Sequence, residues 1–275
     1  MSLFITSLNS GSSGNCYYIG NETEAILVDV GICCSEIEKR MKRLNLCLQK
    51  VKAIFISHEH TDHINGLCVL HKKYQLPVYI TNATHRFSKL KLEKHLVSTF
   101  VMHQPVAIGN LSVTAFPKFH DAADPCSFMV SYKEVNVGIF TDIGSSCENV
   151  IHHFKQCHAA FLEANYDDTL LQQSNYPYFL KSRIAGEKGH LSNNQALQLF
   201  KSHRSPFISH LFLSHLSKNN NCPKLVEKLF NQHANGVKMI IASRYQETQV
   251  FQIQSSTKDV LLKNYVPLQL SLSFA

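Results

Sequence analysis

The sequence predicts an α/β protein of the α+β type, with sheets packed on each other and helices outside, and three observations carry that expectation. Short β-rich runs follow one another rather than alternating strictly with helices, which favours packed sheets over one parallel sheet. Capped, amphipathic helical segments lie between such runs. No Gly/Ser-rich or charged linker and no fixed-period repeat interrupts the 275 residues, so one large domain over 1–275 is expected, its end at 255–275 left unassigned.

The β-rich runs fall near 3–8, 16–20, 24–30, 51–57, 77–81, 111–119, 127–132, 135–141, 158–164, 208–214, 238–243 and 248–253. NSGSSGN, from Asn9 to Asn15, joins the first two; Gly11 and Gly14 permit tight turns, and a hairpin is favoured over a phosphate-binding loop. SEIEKRMKRLNL reads as a helix with Ile37, Met41, Leu44 and Leu48 on one face and a capping box of Ser35 with Glu38. A second capping box, Ser192 with Gln195, opens SNNQALQLFKSHR, and Pro223 stands in the first turn of PKLVEKLF. The alternating apolar residues of STKDVLLKNYVPLQLSLSFA suit an edge strand or a partner contact.

With 44% hydrophobic and 17% charged residues the chain is neither disordered nor collagen-like, and a sizeable core is affordable. No apolar run nears 18 residues and the first residues lack a basic region followed by an apolar core, so a cytoplasmic protein without membrane attachment is expected. Nine cysteines without a C-x-x-C read as reduced, mostly buried small hydrophobes. A net charge of +7 leaves a polyanionic partner open, with basic clusters at Lys39, Arg40, Lys42 and Arg43, at Lys72 and Lys73, and at Lys89, Lys91 and Lys94, each of which also suits a solvated helix face.

Chemistry concentrates in SHEHTDHING, directly after the apolar run VKAIFI. A strand end puts residues i and i+2 on one side, so His58 and His60 can face one metal, while a turn into a helix at Asp62 and His63 offers two more ligands nearby. Four such groups crowded together satisfy one another badly without a cation. Imidazole and carboxylate without thiolate suit Zn²⁺, Mn²⁺ or Fe²⁺ alike. The helical H-E-x-x-H pattern does not apply, since the residue four after His58 is Asp62. Asp29, His120, Asp142 and His215 each close a β-like run, the placement from which distant segments converge on a rim.

In that order, LVDVG, SHEHTDH, His120, FTD with Asp142, and His215 resemble the five motifs of the metallo-β-lactamase superfamily. The resemblance implies a four-layer αββα sandwich and two divalent ions, zinc or manganese with iron possible. His58, His60 and His120 would hold one ion, Asp62, His63 and His215 the other, and Asp142 would bridge them, with Asp29 behind them fixing the loop that carries the histidines. NSGSSGNCYYI, DVGICCSEIEKRM, FHDAADP, EANYD, YPYFLKSRI, GHLSNNQA and SHLSKNNN resemble more narrowly the YycJ/WalJ type of predicted exonuclease, over nearly the whole chain to about residue 245. That likeness implies a phosphodiesterase with DNA as its partner, in which Asp62 and His190 are catalytic and His190 protonates the departing oxygen. In one departure, Tyr166 stands after the Asn of the E-A-N string, where some relatives carry histidine.

Three rival readings remain at this level. Phosphonate-catabolism relatives share the GHL string, so a small cyclic phosphodiester is an alternative substrate. A thioester or lactone hydrolase of the glyoxalase II kind would leave His190 dispensable. A non-catalytic nucleic-acid-binding module would keep metals as structure alone, against which the complete ligand set argues.

Overall fold

Side-chain alternation along the strands decides the layering of this protein, whose computed structural model describes residues 2–255. In chain order the strands are β1 (Ser2–Asn9), β2 (Cys16–Gly20), β3 (Ala25–Val28), β4 (Val51–Phe55), β5 (Val78–Tyr79), β6 (Val97–Ser98), β7 (Pro105–Ile108), β8 (Leu111–Pro117), β9 (Cys126–Tyr132), β10 (Val135–Phe140), β11 (Ala159–Glu163), β12 (His210–Ser214), β13 (Lys238–Ile241) and β14 (Phe251–Gln254). They form two sheets of seven, ordered β14-β1-β2-β3-β4-β5-β6 and β13-β12-β11-β10-β9-β8-β7.

The central strands β2, β3 and β11 are buried on both faces because helices cover the outside of each sheet, whereas the edge strand β14 exposes every second residue. Ile26 and Val28 of β3 point into the space between the sheets with Phe55, Phe128, Val137 and Phe161, whereas Ala25 and Leu27 point outward. That outer face is covered by Ile37 and Met41 of α1 (Cys34–Arg43) and, beyond the one-turn α2 (Thr61–Ile64), by Leu67 and Leu70 of α3 (Leu67–Tyr74). α4 (Asn82–Ser88) follows before the second sheet begins. The outer face of that sheet packs on Val150 and Phe154 of α5 (Glu148–Phe154). After α6 (Asp168–Gln173) and α7 (Tyr178–Ala185), Ala196 and Phe200 of α8 (Asn193–His203) and Phe230 of α9 (Pro223–Asn231) complete the cover. The four layers are αββα.

Each sheet is antiparallel on one side and parallel on the other: β3-β4-β5-β6 and β10-β11-β12-β13 are the parallel halves. Parallel strands end together, so residues following β3, β4, β10, β11 and β12 gather at one rim, where α/β sheets place their ligands.

Local expectations fare unevenly. Ser192 caps α8 in a full capping box with Gln195, Pro223 opens α9, and β1 and β2 form the hairpin around NSGSSGN. The box of Ser35 with Glu38 does not form: α1 starts two residues earlier than that cap implies, at Cys34, with Cys33 as its N-cap and no side-chain cap. Glu38 instead accepts hydrogen bonds from Lys73 Nζ and Tyr74 Oη of α3. Leu48 lies in a separate 3-10 turn rather than on α1. Arg40 is buried, donating to Leu8 O and Asn9 Oδ1, which removes it from the basic surface cluster. All nine cysteines are free, but only Cys16, Cys34, Cys126 and Cys157 are buried, so they are less enclosed than their apolar contexts suggested. The edge-strand expectation for the C-terminal tail lies outside the described residues.

Candidate metal centre

β4 runs straight into the histidine loop, and the first group forms there. His58 is fully buried, and its Nε2 lies 3.2 Å from His60 Nδ1, which lies 3.2 Å from His120 Nε2. His120 follows β8, so the group spans both sheets. Two nitrogens at 2.0–2.1 Å from a tetrahedral ion stand about 3.3 Å apart, so these three nitrogens have the spacing of one such ion's ligands. His120 Nδ1 donates to Gly189 O at 3.1 Å, which leaves Nε2 free to face the group.

The second group lies beside it. His63 Nε2 is 3.0 Å from Asp142 Oδ2 and 3.5 Å from Asp62 Oδ2, and His215 Nε2 is 3.3 Å from Asp62 Oδ2. Asp142 turns its other oxygen toward the first group, 3.8 Å from His120 Nε2. Asp142 is buried at 2% exposure with imidazole nitrogens of His63, His120 and His215 within 3.0–3.8 Å of its two oxygens, a convergence of ligand atoms that suits a cation. Each group can hold one ion.

Asp29 anchors the loop from behind. It accepts from the Ser57 backbone N–H and hydroxyl, both at 2.8 Å, and from His63 Nδ1 at 2.7 Å, while His58 Nδ1 reaches Ser57 Oγ at 2.9 Å. A histidine held at Nδ1 presents Nε2, and such partners fix the tautomer and ring orientation of a ligand. Asp29, Asp142 and His215 all have left-handed backbone, with φ of 59°, 54° and 55°. Each costs about 1–2 kcal/mol relative to ordinary backbone; strain of this kind collects at functional sites.

Glu163 is the residue that sequence reasoning missed. Fully buried at the end of β11, it accepts from His190 Nδ1 and His215 Nδ1, both at 2.8 Å, on Oε1, and from the Ile143 and Leu191 N–H groups on Oε2. The signal was an acid closing the apolar run AAFLE. His190 thereby joins the rim two residues before the α8 cap. Asp142, Glu163, His190 and His215 also make a set close enough for an ion, but the four donors on Glu163 already use its carboxylate as an acceptor.

The electrostatics separate the groups. Burial, reinforced by the charge of His63, holds His58 well below the ordinary imidazole range, and burial brings His120 down to about 4. Both stay neutral, the form that binds a cation. Burial opposes charge on His63 and His215 as well, yet Asp142 and its neighbouring carboxylates prevail, lifting His63 well above its usual value and His215 to about 10. Asp142 itself is held well below the carboxylate range: burial works against this, but the charges of His215 and His63 outweigh it. Protons on imidazole balance the carboxylates, and a divalent ion could replace them.

All seven candidate ligands and His190 therefore meet. A cleft of about 270 Å³ opens onto them, lined also by Ser12, Tyr176, Arg183, Ser217 and Asn220. Tyr166 is buried at 3% exposure, is not among the residues lining the cleft, and pairs with Ser192 through the backbone. A histidine's part at that position is absent from this protein.

An αββα sandwich whose strand ends carry these two clusters is the architecture of a metal-binding hydrolase. The chain belongs to the metallo-β-lactamase superfamily, whose family model matches residues 10–180. It is 31% identical over 237 residues to the exodeoxyribonuclease YycJ of Bacillus anthracis, covering 84% of this chain and 89% of that protein. It is 30% identical to the exodeoxyribonuclease WalJ of Streptococcus pneumoniae, covering 79% and 83%. Among solved structures, the metallo-β-lactamase fold protein YhfI from Bacillus subtilis superposes with a TM-score of 0.71 at 18% identity, over 92% of this chain and all of that one. The chain is a hydrolase of this fold.

Proposed function

We propose that this protein is a metal-dependent phosphodiesterase that shortens DNA from an end, working in the cytoplasm. The observation that carries the reading is His190, fixed by Glu163 at Nδ1 beside the two ligand groups and lining the cleft they share. Relatives named as exodeoxyribonucleases, similar over most of the chain, support DNA as the substrate. The net charge of +7 suits a polyanion, whose affinity would fall with salt. No helix among the described residues is long and apolar enough to cross a membrane, and nine free cysteines suit a reducing compartment.

His58, His60 and His120 would hold one divalent ion, and Asp62, His63 and His215 a second, with Asp142 presenting an oxygen to each. Zinc and manganese both suit these ligands, as iron does. Bound there, the ions would supply a water acidic enough to ionise near neutral pH and positive charge opposite the phosphoryl oxygens. Asp62, whose side chain keeps 22% exposure at the cleft, would orient the attacking water. Glu163 occupies His190 Nδ1, so Nε2 is the nitrogen left to pass a proton to the departing oxygen.

The test is incubation of manganese- and zinc-loaded protein with end-labelled single- and double-stranded DNA and RNA beside a small phosphodiester. Stepwise shortening of DNA is expected. His190→Ala should keep its metals and lose about 10²–10⁴-fold in turnover. Activity confined to the small diester, or full turnover by His190→Ala on DNA, would contradict the proposal.

A further inference from the structure

Beside the catalytic cleft lies a second cavity of about 310 Å³, and the two share Ser217. Its character is different. Asp62, Asp121 and Asp142 line the cleft, whereas the second cavity is lined by Ser10, Ser217, Lys218, Asn221, Arg244 and Tyr245 among others, with no acid.

Arg244 stands at the join. Its guanidinium donates through Nη2 to Leu216 O and through Nη1 to Ser12 Oγ at 3.3 Å, so it touches the residue after the candidate ligand His215 and a residue lining the cleft. It also lies flat against Gly11, where an added Cβ would come within 3.0 Å of Cζ and Nη2. The glycine of the NSGSSGN turn thus seats a cation, a use for that loop beyond closing a hairpin. No carboxylate among the described residues pairs with Arg244 or with the exposed Lys218. Two basic side chains therefore line one cavity with no acid among its lining residues, and guanidinium geometry matches phosphate oxygens. Tyr245 next to them is 75% exposed, a ring on which a base can stack.

We propose that Arg244 and Lys218 bind a backbone phosphate of the substrate strand next to the one being cleaved, with Tyr245 stacking its base. This rests on the phosphodiesterase reading above and adds where the rest of the strand lies: past Ser12 and Ser217, away from His190. A phosphate at this subsite holds the strand in register without entering the chemistry, so Arg244, Lys218 and Tyr245 are positioning residues.

The experiment compares KM and kcat for a DNA oligonucleotide and for bis(p-nitrophenyl) phosphate, which carries no neighbouring phosphate, in the full metal-loaded protein and in Arg244→Met, Arg244→Lys, Lys218→Met and Tyr245→Ala. The ratio of the two KM values should shift about tenfold against the oligonucleotide in Arg244→Met and less in Arg244→Lys, roughly the worth of one charge-assisted contact. The slope of log affinity for DNA against log salt should fall by about one in Arg244→Met and in Lys218→Met. Because Lys218 and Tyr245 are exposed, their variants keep the test open should Arg244→Met fail to fold. An unchanged KM ratio and salt slope in all four variants overturns the subsite while the parent reading survives. Wild-type protein that cleaves neither substrate sinks the parent reading, and the subsite with it.

Discussion

Four hydrogen-bond donors converge on Glu163, two imidazoles and two backbone N–H groups, and only a carboxylate can accept from all of them. An amide in its place would turn an NH₂ toward one pair of donors. Glu163→Gln is therefore expected to lower turnover or metal affinity about 10–100-fold, the usual cost of losing a partner that orients a ligand. Turnover and metal content measured together check this, and a variant equal to wild type in both would remove the role. His58, His60, Asp62 and His63 were legible in the sequence because they are local and crowded. Glu163 was not, because one acid at a strand end says nothing until the parallel pairing of β10, β11 and β12 sets it between His190 and His215. Another histidine gives a pH prediction. His153 stacks on Phe116 with centroids 3.9 Å apart, and burial, helped by His152 and His103, brings its pKa down to about 4. The unfolded chain, titrating near 6.5, then binds more protons between those values, so this stability is full above about pH 6.5 and lost as pH falls toward 4. After allowing for partial exposure the effect is about 1–2 kcal/mol. Urea unfolding of wild type and His153→Phe across pH 4–7 should show the wild type losing that much more; parallel curves would refute it.

At the scale of elements, caps were legible where side chain and backbone cooperate and illegible where a neighbour competes. Ser192 is buried with its hydroxyl on the Gln195 N–H, so Ser192→Ala should cost about 1 kcal/mol in urea or thermal unfolding. No loss would mean the box is ornamental. Ser35 and Glu38 have the same spacing, but Lys73 and Tyr74 draw Glu38 to the other helix, a contact between segments that spacing does not encode. β6, two residues long, and β7, PVAI, were missed, the one too short for any alternation and the other opened by a proline at an exposed edge. The α7 segment escaped because none of its residues is buried: a helix without an apolar stripe on the core leaves no period to read.

The whole molecule is held by the space between the sheets. Phe161 sits at its middle, 4.5 Å in ring centroids from Phe212 and 4.8 Å from Tyr17, and so joins the second sheet to the first. Phe161→Ala should destabilise the protein by about 3–5 kcal/mol, and a much smaller loss in urea unfolding would show that the sheets are not so coupled. That coupling matters to the site because His58, His60, Asp62 and His63 follow the first sheet while His120, Asp142 and His215 follow the second. The layered architecture was legible in strands that come in runs; which strand ends share a rim came with the sheet order. The central claim is that those seven side chains form two ion sites. Its most direct test is the metal content of purified protein, titrated with zinc or manganese, for wild type, His120→Ala and His215→Ala. Two ions per wild-type chain and about one in each variant is the result expected; a wild-type chain that takes up none, or variants that still take up two, would contradict it.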